Sequence, residues 1–236
     1  MYNMTSQLGL ISFETLLEKA QGGTDALLVL SGGLDSAYTL WKYAQVVTDR
    51  PIHTHHIHLY PRWSERLEVE SLAVRKQIEY LNREVSVRTS TVDASSGGAL
   101  IRDITLAVLL SATTAKERKC DYILVGDDLP SSARRNLDES ILDPYKERMN
   151  KAMAEYVRAV TEDTVDICMG METHLVTEAY NEMPEDYLSL VSSCRSPLNK
   201  SGLVSQCGVC PSCKKNKEFN FFDRLGNKLV YPPKRT

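Results

Sequence analysis

The apolar positions of this chain change period along its length, and the changes divide it into elements. Residues 25–30 (DALLVL) form a short continuous apolar run that stops at Ser31-Gly32-Gly33. A helical pattern follows from about Asp35 to Val46, then a β-like segment from Ile52 to Tyr60. A second helical pattern runs from Ser64 to Leu81, with Leu67, Val74, Ile78 and Leu81 on one face at a 3.6-residue period. Glu84 to Val92 alternates as a strand does, Ile101 to Lys116 reads as a strongly apolar helix, and Tyr122 to Val125 reads as a buried strand ending at Gly126. An irregular stretch extends to about Pro144, followed by a helix over Tyr145 to Val160 and a last strand within Val165 to Met171. Strands that are apolar throughout are buried on both faces, which is the mark of a parallel sheet covered by helices. The pattern therefore predicts a doubly wound, mostly parallel α/β sheet over residues 1–183. A C-terminal segment, 184–236, differs in character, with a short helical stretch and then Cys-, Ser- and Lys-rich sequence packed on the same domain.

In such sheets ligands bind beyond the carboxyl ends of the strands. Three segments rich in Gly, Ser or Asp stand at such ends here: SGGLDS, DASSGG and GDDLPSS. In the first, two glycines let the backbone approach an anion, and the N–H groups opening the next helix point at it. Ser31 and Ser36 add hydroxyls, and Asp35 either caps the helix or holds a magnesium ion bridging phosphates. A Gly-Gly pair alone also suits a plain turn before a helix. The full hexapeptide behind a buried strand favours the anion site. The GxxxxGK[ST] spacing and its lysine are missing, which counts against transfer of a terminal phosphate.

Composition changes the picture only in part. The chain has 236 residues, 42% hydrophobic and 25% charged, which excludes a disordered class. No apolar run reaches the ~18 residues of a membrane span, and Met1 to Gln7 lacks the order of a secretory signal, so a cytoplasmic location is expected. The net charge of −3 excludes a generally basic coat. It is unevenly spread, however. Residues 214–236 carry seven basic groups against two acidic ones, leaving eight net negative charges on the rest. Neutralising nearby thiolates is the plainer role for that tail, and contact with nucleic acid is its rival.

Cys207, Cys210 and Cys213 form C-x2-C-x2-C, with Cys194 thirteen positions earlier. Four thiolates so spaced suit a closed tetrahedral Zn2+ site of structural role, with Gly208 and Pro211 fitted to tight turns. An iron–sulfur cluster is the chemical rival. Cys120 and Cys168 sit in or beside apolar segments and read as small buried hydrophobes. Four histidines, His53, His55, His56 and His58, occupy one strand with two on each face; ordinary packing and hydrogen bonding outweigh a metal site. Core packing outweighs purine stacking for Trp63; Asp93, Gly97 and Gly98 are candidates to border the crevice, and Arg134 and Arg135 either bind phosphate or carboxylate or lie on a solvated loop.

SGGxDS resembles the signature of the PP-loop ATP pyrophosphatases, of adenine nucleotide α-hydrolase-like fold. That resemblance implies cleavage of ATP between its α- and β-phosphates, activation of a substrate oxygen as an adenylate, and a nucleotide site at Ser31, Gly32, Gly33, Leu34, Asp35 and Ser36. With the four cysteines it further resembles the 7-cyano-7-deazaguanine synthases, from about Leu27 to Phe222. Arg102-Asp103 resembles the Arg-Asn that opens the family's equivalent helix. The resemblance implies that ATP adenylates 7-carboxy-7-deazaguanine, ammonia displaces AMP to give the amide, and a second ATP drives dehydration to the nitrile. It assigns Ser31, Asp35, Ser36 and Arg102 to catalysis and adds Tyr60, Gly126 and Asp127 to the nucleotide site. Small molecules are then the expected partners, with no membrane; nothing excludes a homodimer. The chain departs from the family where substrate is expected. Leu59-Tyr60-Pro61-Arg62-Trp63 replaces a Tyr-Gly-Gln-Arg-His type segment, and Asp127 to Arg135 replaces a Tyr-Pro-Asp-Cys-Arg segment. Open alternatives are an enzyme that stops at the amide or adenylates another substrate, tRNA modification included, and a nucleotide-binding module without catalysis.

Overall fold

All five residues of the strand Ala26–Leu30 are buried, and their side chains part alternately into two cores. Ala26, Leu28 and Leu30 join one apolar cluster, Leu27 and Val29 the other. A strand needs this continuous apolar composition only when helices cover both faces of its sheet. The computed structural model describes residues 10–60, 64–95, 103–126, 139–169, 181–194, 197–200, 203–218 and 222–224. In chain order its elements are β1 (Leu10–Ile11), α1 (Phe13–Gln21), β2 (Ala26–Leu30), α2 (Leu34–Val46), β3 (Ile52–Tyr60), α3 (Ser64–Leu81), β4 (Val87–Ser95), α4 (Asp103–Glu117), β5 (Tyr122–Val125), α5 (Glu139–Thr161) and β6 (Asp166–Met169). They continue with α6 (Glu185–Leu188), the hairpin strands β7 (Leu198–Lys200) and β8 (Leu203–Ser205), α7 (Pro211–Glu218) and a 3-10 turn at Phe222–Arg224.

The first six strands make one parallel sheet in the order β1-β6-β5-β2-β3-β4. The chain travels outward from β2 through β3 to β4, then returns to pair β5 with the other edge of β2. That reversal makes the sheet doubly wound and opens a crevice between the carboxyl ends of β2 and β5. One core holds residues of α1, α2, α3 and the segment 183–191; the other holds residues of α4 and α5.

Several boundaries differ from the pattern reading. The strand expected from Glu84 begins at Val87, because Val85 is buried yet bonded back to Leu81 O (3.0 Å), closing the turn after α3. Asn82 Oδ1 accepts from Val87 N (2.7 Å) and starts the strand there. The helix expected from Tyr145 begins at Glu139 and carries Pro144 within its 23 residues. One proline costs a hydrogen bond and a clash, which a helix this long absorbs. The two-residue β1 and the hairpin β7–β8 have no pattern of their own; they are strands by virtue of their partners.

The amino ends of the strands are tied by Arg50. Its guanidinium donates to Asp25 Oδ1 (2.6 Å), Ala20 O (2.7 Å), Thr24 O (2.9 Å) and Asp49 Oδ1 (2.9 Å). Asp25 N in turn donates to Asp121 Oδ2 at 3.0 Å, linking the start of β2 to that of β5. Among the described residues no helix is long and apolar enough to cross a membrane.

Candidate functional site

The hexapeptide SGGLDS turns from β2 into α2 at the mouth of the crevice. Gly32 has φ +76°, in the left-handed region, and a Cβ there would lie 2.8 Å from Glu70 O and 2.9 Å from Ala73 Cβ on α3. Both the backbone conformation and the space require glycine. Gly33 has φ −78° and ψ 173°, and its carbonyl accepts the first helical bond, from Ala37 N at 3.0 Å. Across the crevice, a Cβ on Gly126 would meet Asp35 C, Asp35 O and Ser36 N, each at 2.8 Å. The end of β5 therefore rests directly on the first turn of α2.

Three N–H groups of the loop end on hydroxyl oxygens. Ser31 N donates to Ser36 Oγ (3.2 Å), Gly33 N to Ser31 Oγ (3.3 Å) and Leu34 N to Ser193 Oγ (3.1 Å). The hydroxyls of Ser31 and Ser36 lie 3.1 Å apart, and Ser36 also donates to Gly33 O (3.2 Å). Hydroxyls are the adaptable partners here: each can yield the N–H to an anion, or keep it and turn its own hydrogen towards that anion. Asp35 stands in the first turn of α2, where the helix dipole favours a negative charge. Ser31 is exposed, Asp35 half-buried and Ser36 buried, so the loop presents one accessible side.

From behind, the loop is held by a segment far along the chain. Gly32 O accepts from Ser192 N (2.8 Å) and from the buried Gln77 Nε2 (3.1 Å), which also reaches Leu190 O (3.3 Å). Tyr187, fully buried, donates to Ala37 O at 3.1 Å, and Glu182 meets Lys42 Nζ (2.5 Å) and Tyr38 OH (3.2 Å) along α2. Ser192, Ser193 and Gln77 are supporting residues that reading the sequence missed. The signal available was the pair Ser192-Ser193 placed immediately before Cys194.

Cys194, Cys207, Cys210 and Cys213 converge, with all four Sγ atoms within 4.8 Å of one another. The hairpin β7–β8 returns the chain across the long interval between the first two. Gly208 has φ +72°, and Pro211 opens α7, where its missing N–H costs nothing. Backbone N–H groups of Cys207 and Cys210 donate to the sulfurs of Cys194 and Cys207, both at 3.3 Å. The Cys213 thiol is pushed upward, first by its contact with Cys194 and then by burial. A cation among the sulfurs would reverse that shift, so the set fits a metal ion with thiolate ligands. Among the described residues it is also the group of acidic, His or Cys side chains able to hold one.

The four histidines make hydrogen bonds instead of converging. His56 Nδ1 lies 2.8 Å from Leu30 O, so it carries the ring hydrogen. Its Nε2 meets Ser71 Oγ (3.2 Å), which also meets His58 Nε2 (2.9 Å), while His58 Nδ1 meets Asp93 Oδ1 (2.8 Å). The Ser71 hydroxyl also donates to Leu67 O (2.8 Å), so it ties both rings to α3. On the other face His55 Nδ1 meets Ser90 Oγ (2.7 Å), and its buried Nε2 has no partner among the described residues. Burial first, then Arg118, pushes His55 down to about 4.

Cys120 and Cys168 are 2% and 0% exposed and lie in the two cores. Burial pushes the Cys120 thiol up to about 12 and raises Cys168 as well, which suits neither for nucleophilic work. Of the remaining candidates, Tyr60 closes β3. Arg62, Trp63, Gly97, Gly98, Arg102, Asp127, Arg134 and Arg135 lie outside the described residues, as does most of the basic tail.

No protein-family profile matches the chain, and no curated protein matches it. Among solved structures it matches the U34-tRNA thiolase NcsA from Methanococcus maripaludis with its [4Fe-4S] cluster. The identity is 14% and the TM-score 0.45, over 90% of this chain and 75% of that one.

Proposed function

We propose that this chain is an ATP-dependent carbon–nitrogen ligase of the 7-cyano-7-deazaguanine synthase type. The observation that carries the reading is the loop Ser31 to Ser36, where the N–H groups of Ser31, Gly33 and Leu34 meet serine hydroxyls at the reversal of strand order. An anion of pyrophosphate size would find donors already aimed there. In the proposed reaction a carboxylate oxygen of 7-carboxy-7-deazaguanine attacks the α-phosphorus of ATP, and pyrophosphate leaves into the loop. Ammonia then attacks the acyl adenylate and expels AMP to form the amide. In a second round the amide oxygen attacks the α-phosphorus of another ATP and expels pyrophosphate, and the O-adenylated amide then loses AMP and its two N–H protons to leave the nitrile. Asp35 would hold Mg2+ between the phosphates, with Ser31, Ser36 and Arg102 around the transferring group. The chemistry rests on positioning and charge stabilisation and needs no side-chain nucleophile.

Zinc is the ion proposed for the cysteines. Four sulfurs within 4.8 Å of one another suit one tetrahedral ion, whose thiolates stand about 3.8 Å apart at a Zn–S distance of about 2.3 Å. A four-iron cluster places each thiolate on a different iron and spreads them further. Elemental analysis yielding one zinc per chain supports this; broad visible absorbance with bound iron overturns it.

A second reading is ATP-dependent modification of tRNA, which the basic tail favours. Against its sulfur-transferring form, Cys120 precedes β5, at the opposite end of that strand, and Cys168 is fully buried in the other core. The deciding experiment measures pyrophosphate release from ATP with 7-carboxy-7-deazaguanine and ammonium, followed by the product's mass. A nitrile is expected. An amide alone supports the shortened reaction. Release that depends on tRNA and not on the acid favours the second reading, and ATP binding without release under either condition marks a module without catalysis.

A further inference from the structure

Ser193 is placed unlike the other two serines of the loop. Ser31 and Ser36 belong to the hexapeptide, whereas Ser193 is 159 positions from the Leu34 N–H that it accepts at 3.1 Å. It is the neighbour of Cys194, the first of the converging thiols, which is 3% exposed. Its position is set from both sides. Upstream, Ser192 N donates to Gly32 O (2.8 Å), and Gln77 Nε2 joins Gly32 O (3.1 Å) to Leu190 O (3.3 Å). Downstream, Cys207 N donates to Cys194 Sγ (3.3 Å). The half-buried hydroxyl accepts from the helix N-terminus and makes no other hydrogen bond among the described residues, so its own hydrogen is available. An oxygen that accepts from the loop and has a hydrogen to give is a relay between Leu34 N–H and a bound anion.

We infer that Ser193 is a pyrophosphate-binding residue of the loop, delivered to it by the metal-held segment, so that metal and pyrophosphate stabilise each other. The inference rests on the proposed reading of the loop as an ATP site and adds to it a residue and a coupling. Reciprocity is then required by linkage: if the metal-held segment tightens anion binding, the anion tightens metal binding by the same factor.

The test titrates the full-length, metal-loaded chain with magnesium pyrophosphate and with Mg-ATP by calorimetry. Loss of one hydrogen bond to a charged group makes Ser193→Ala bind pyrophosphate about tenfold more weakly or worse, with metal content and thermal midpoint unchanged. Ser193→Thr restores binding because it keeps the hydroxyl. In a second measurement the fraction of metal retained against a competing chelator rises when pyrophosphate is added to the wild type and stays level in Ser193→Ala, where any chelation by pyrophosphate itself is the same. Wild-type affinity in Ser193→Ala overturns the binding role, and equal metal retention in the two chains overturns the coupling. A wild-type chain that binds neither ATP nor pyrophosphate overturns the nucleotide reading, and this inference with it.

Discussion

A single hydrogen atom in place of a methyl group separates β5 from the first turn of α2. At Gly126 a Cβ would sit 2.8 Å from three backbone atoms of Asp35 and Ser36, none of which can turn away as a side-chain end could. Gly126→Ala is therefore expected to push the strand from the loop. Overpacking of this kind costs about 1–3 kcal/mol, a fall of roughly 3–10 °C in the melting midpoint for a chain of this size. If the loop holds ATP as proposed, ATP affinity should fall at least tenfold, because the donors of the loop are displaced together. Calorimetric melting and ATP titration of the variant check this; affinity equal to the wild type would show that the loop does not depend on that contact. The glycines of the hexapeptide were legible in the sequence because their motif is contiguous. Gly126 was legible as a strand end, but the reason it must be glycine lies about ninety residues away, on α2. The same holds for Ser193 and Gln77, whose partners are remote and whose residue types are ordinary.

At the scale of elements, the two ends of β2 do different work. Its carboxyl end opens into the loop, while its amino end is tied through Asp25 to Arg50, whose guanidinium also satisfies the last carbonyls around α1. Arg50 is 20% exposed, so replacing it by methionine leaves Asp25 and two carbonyls without their donor at a mostly buried site. Arg50→Met is expected to cost about 2–3 kcal/mol in chemical denaturation, yet to leave pyrophosphate affinity within twofold, since the change is at the far end of the strand. A fall in affinity matching the fall in stability would show that the loop and the amino ends are one cooperative unit. α2 and α3 were readable from helical periodicity, β2 and β5 from short continuous apolar runs. β1, β7 and β8, at two or three residues, have none. Their conformation comes from the strand beside them.

For the whole molecule, the sheet's two cores make stability depend on pH through His55. The ring is buried at 3% exposure, donates through Nδ1 to Ser90, and has no partner for a second proton on Nε2 among the described residues. Its value falls from 6.5 to about 4, by burial first and Arg118 second, and burial lowers His56 in the same direction. Above about pH 6.5 both folded and unfolded chains hold His55 neutral, and the group adds no slope. Between about 6.5 and about 4 the unfolded chain takes up a proton that the folded chain refuses, so stability falls with pH, by roughly 3 kcal/mol at full extent for His55 alone. Urea midpoints measured from pH 7.5 to pH 4.5 should fall accordingly, and the fall should be shallower in His55→Gln. Identical slopes in the two chains would place the acid sensitivity elsewhere.

The sequence by itself determined what depends on local pattern and on contiguous chemistry. Continuous apolar runs dictated a parallel sheet covered on both faces, SGGLDS dictated a turn able to receive an anion, and the cysteine spacing dictated a cluster. Each follows from residues close enough along the chain to act together before anything folds. The tertiary structure alone decided which strands are neighbours, and with that the crevice between β2 and β5. It also decided that the segment entering the cysteine cluster runs along the loop, with Ser192 bonded to Gly32 and Ser193 to Leu34. Hydrogen bonds across 159 positions exist only once the sheet has ordered both partners, and no period or motif in a one-dimensional chain records them.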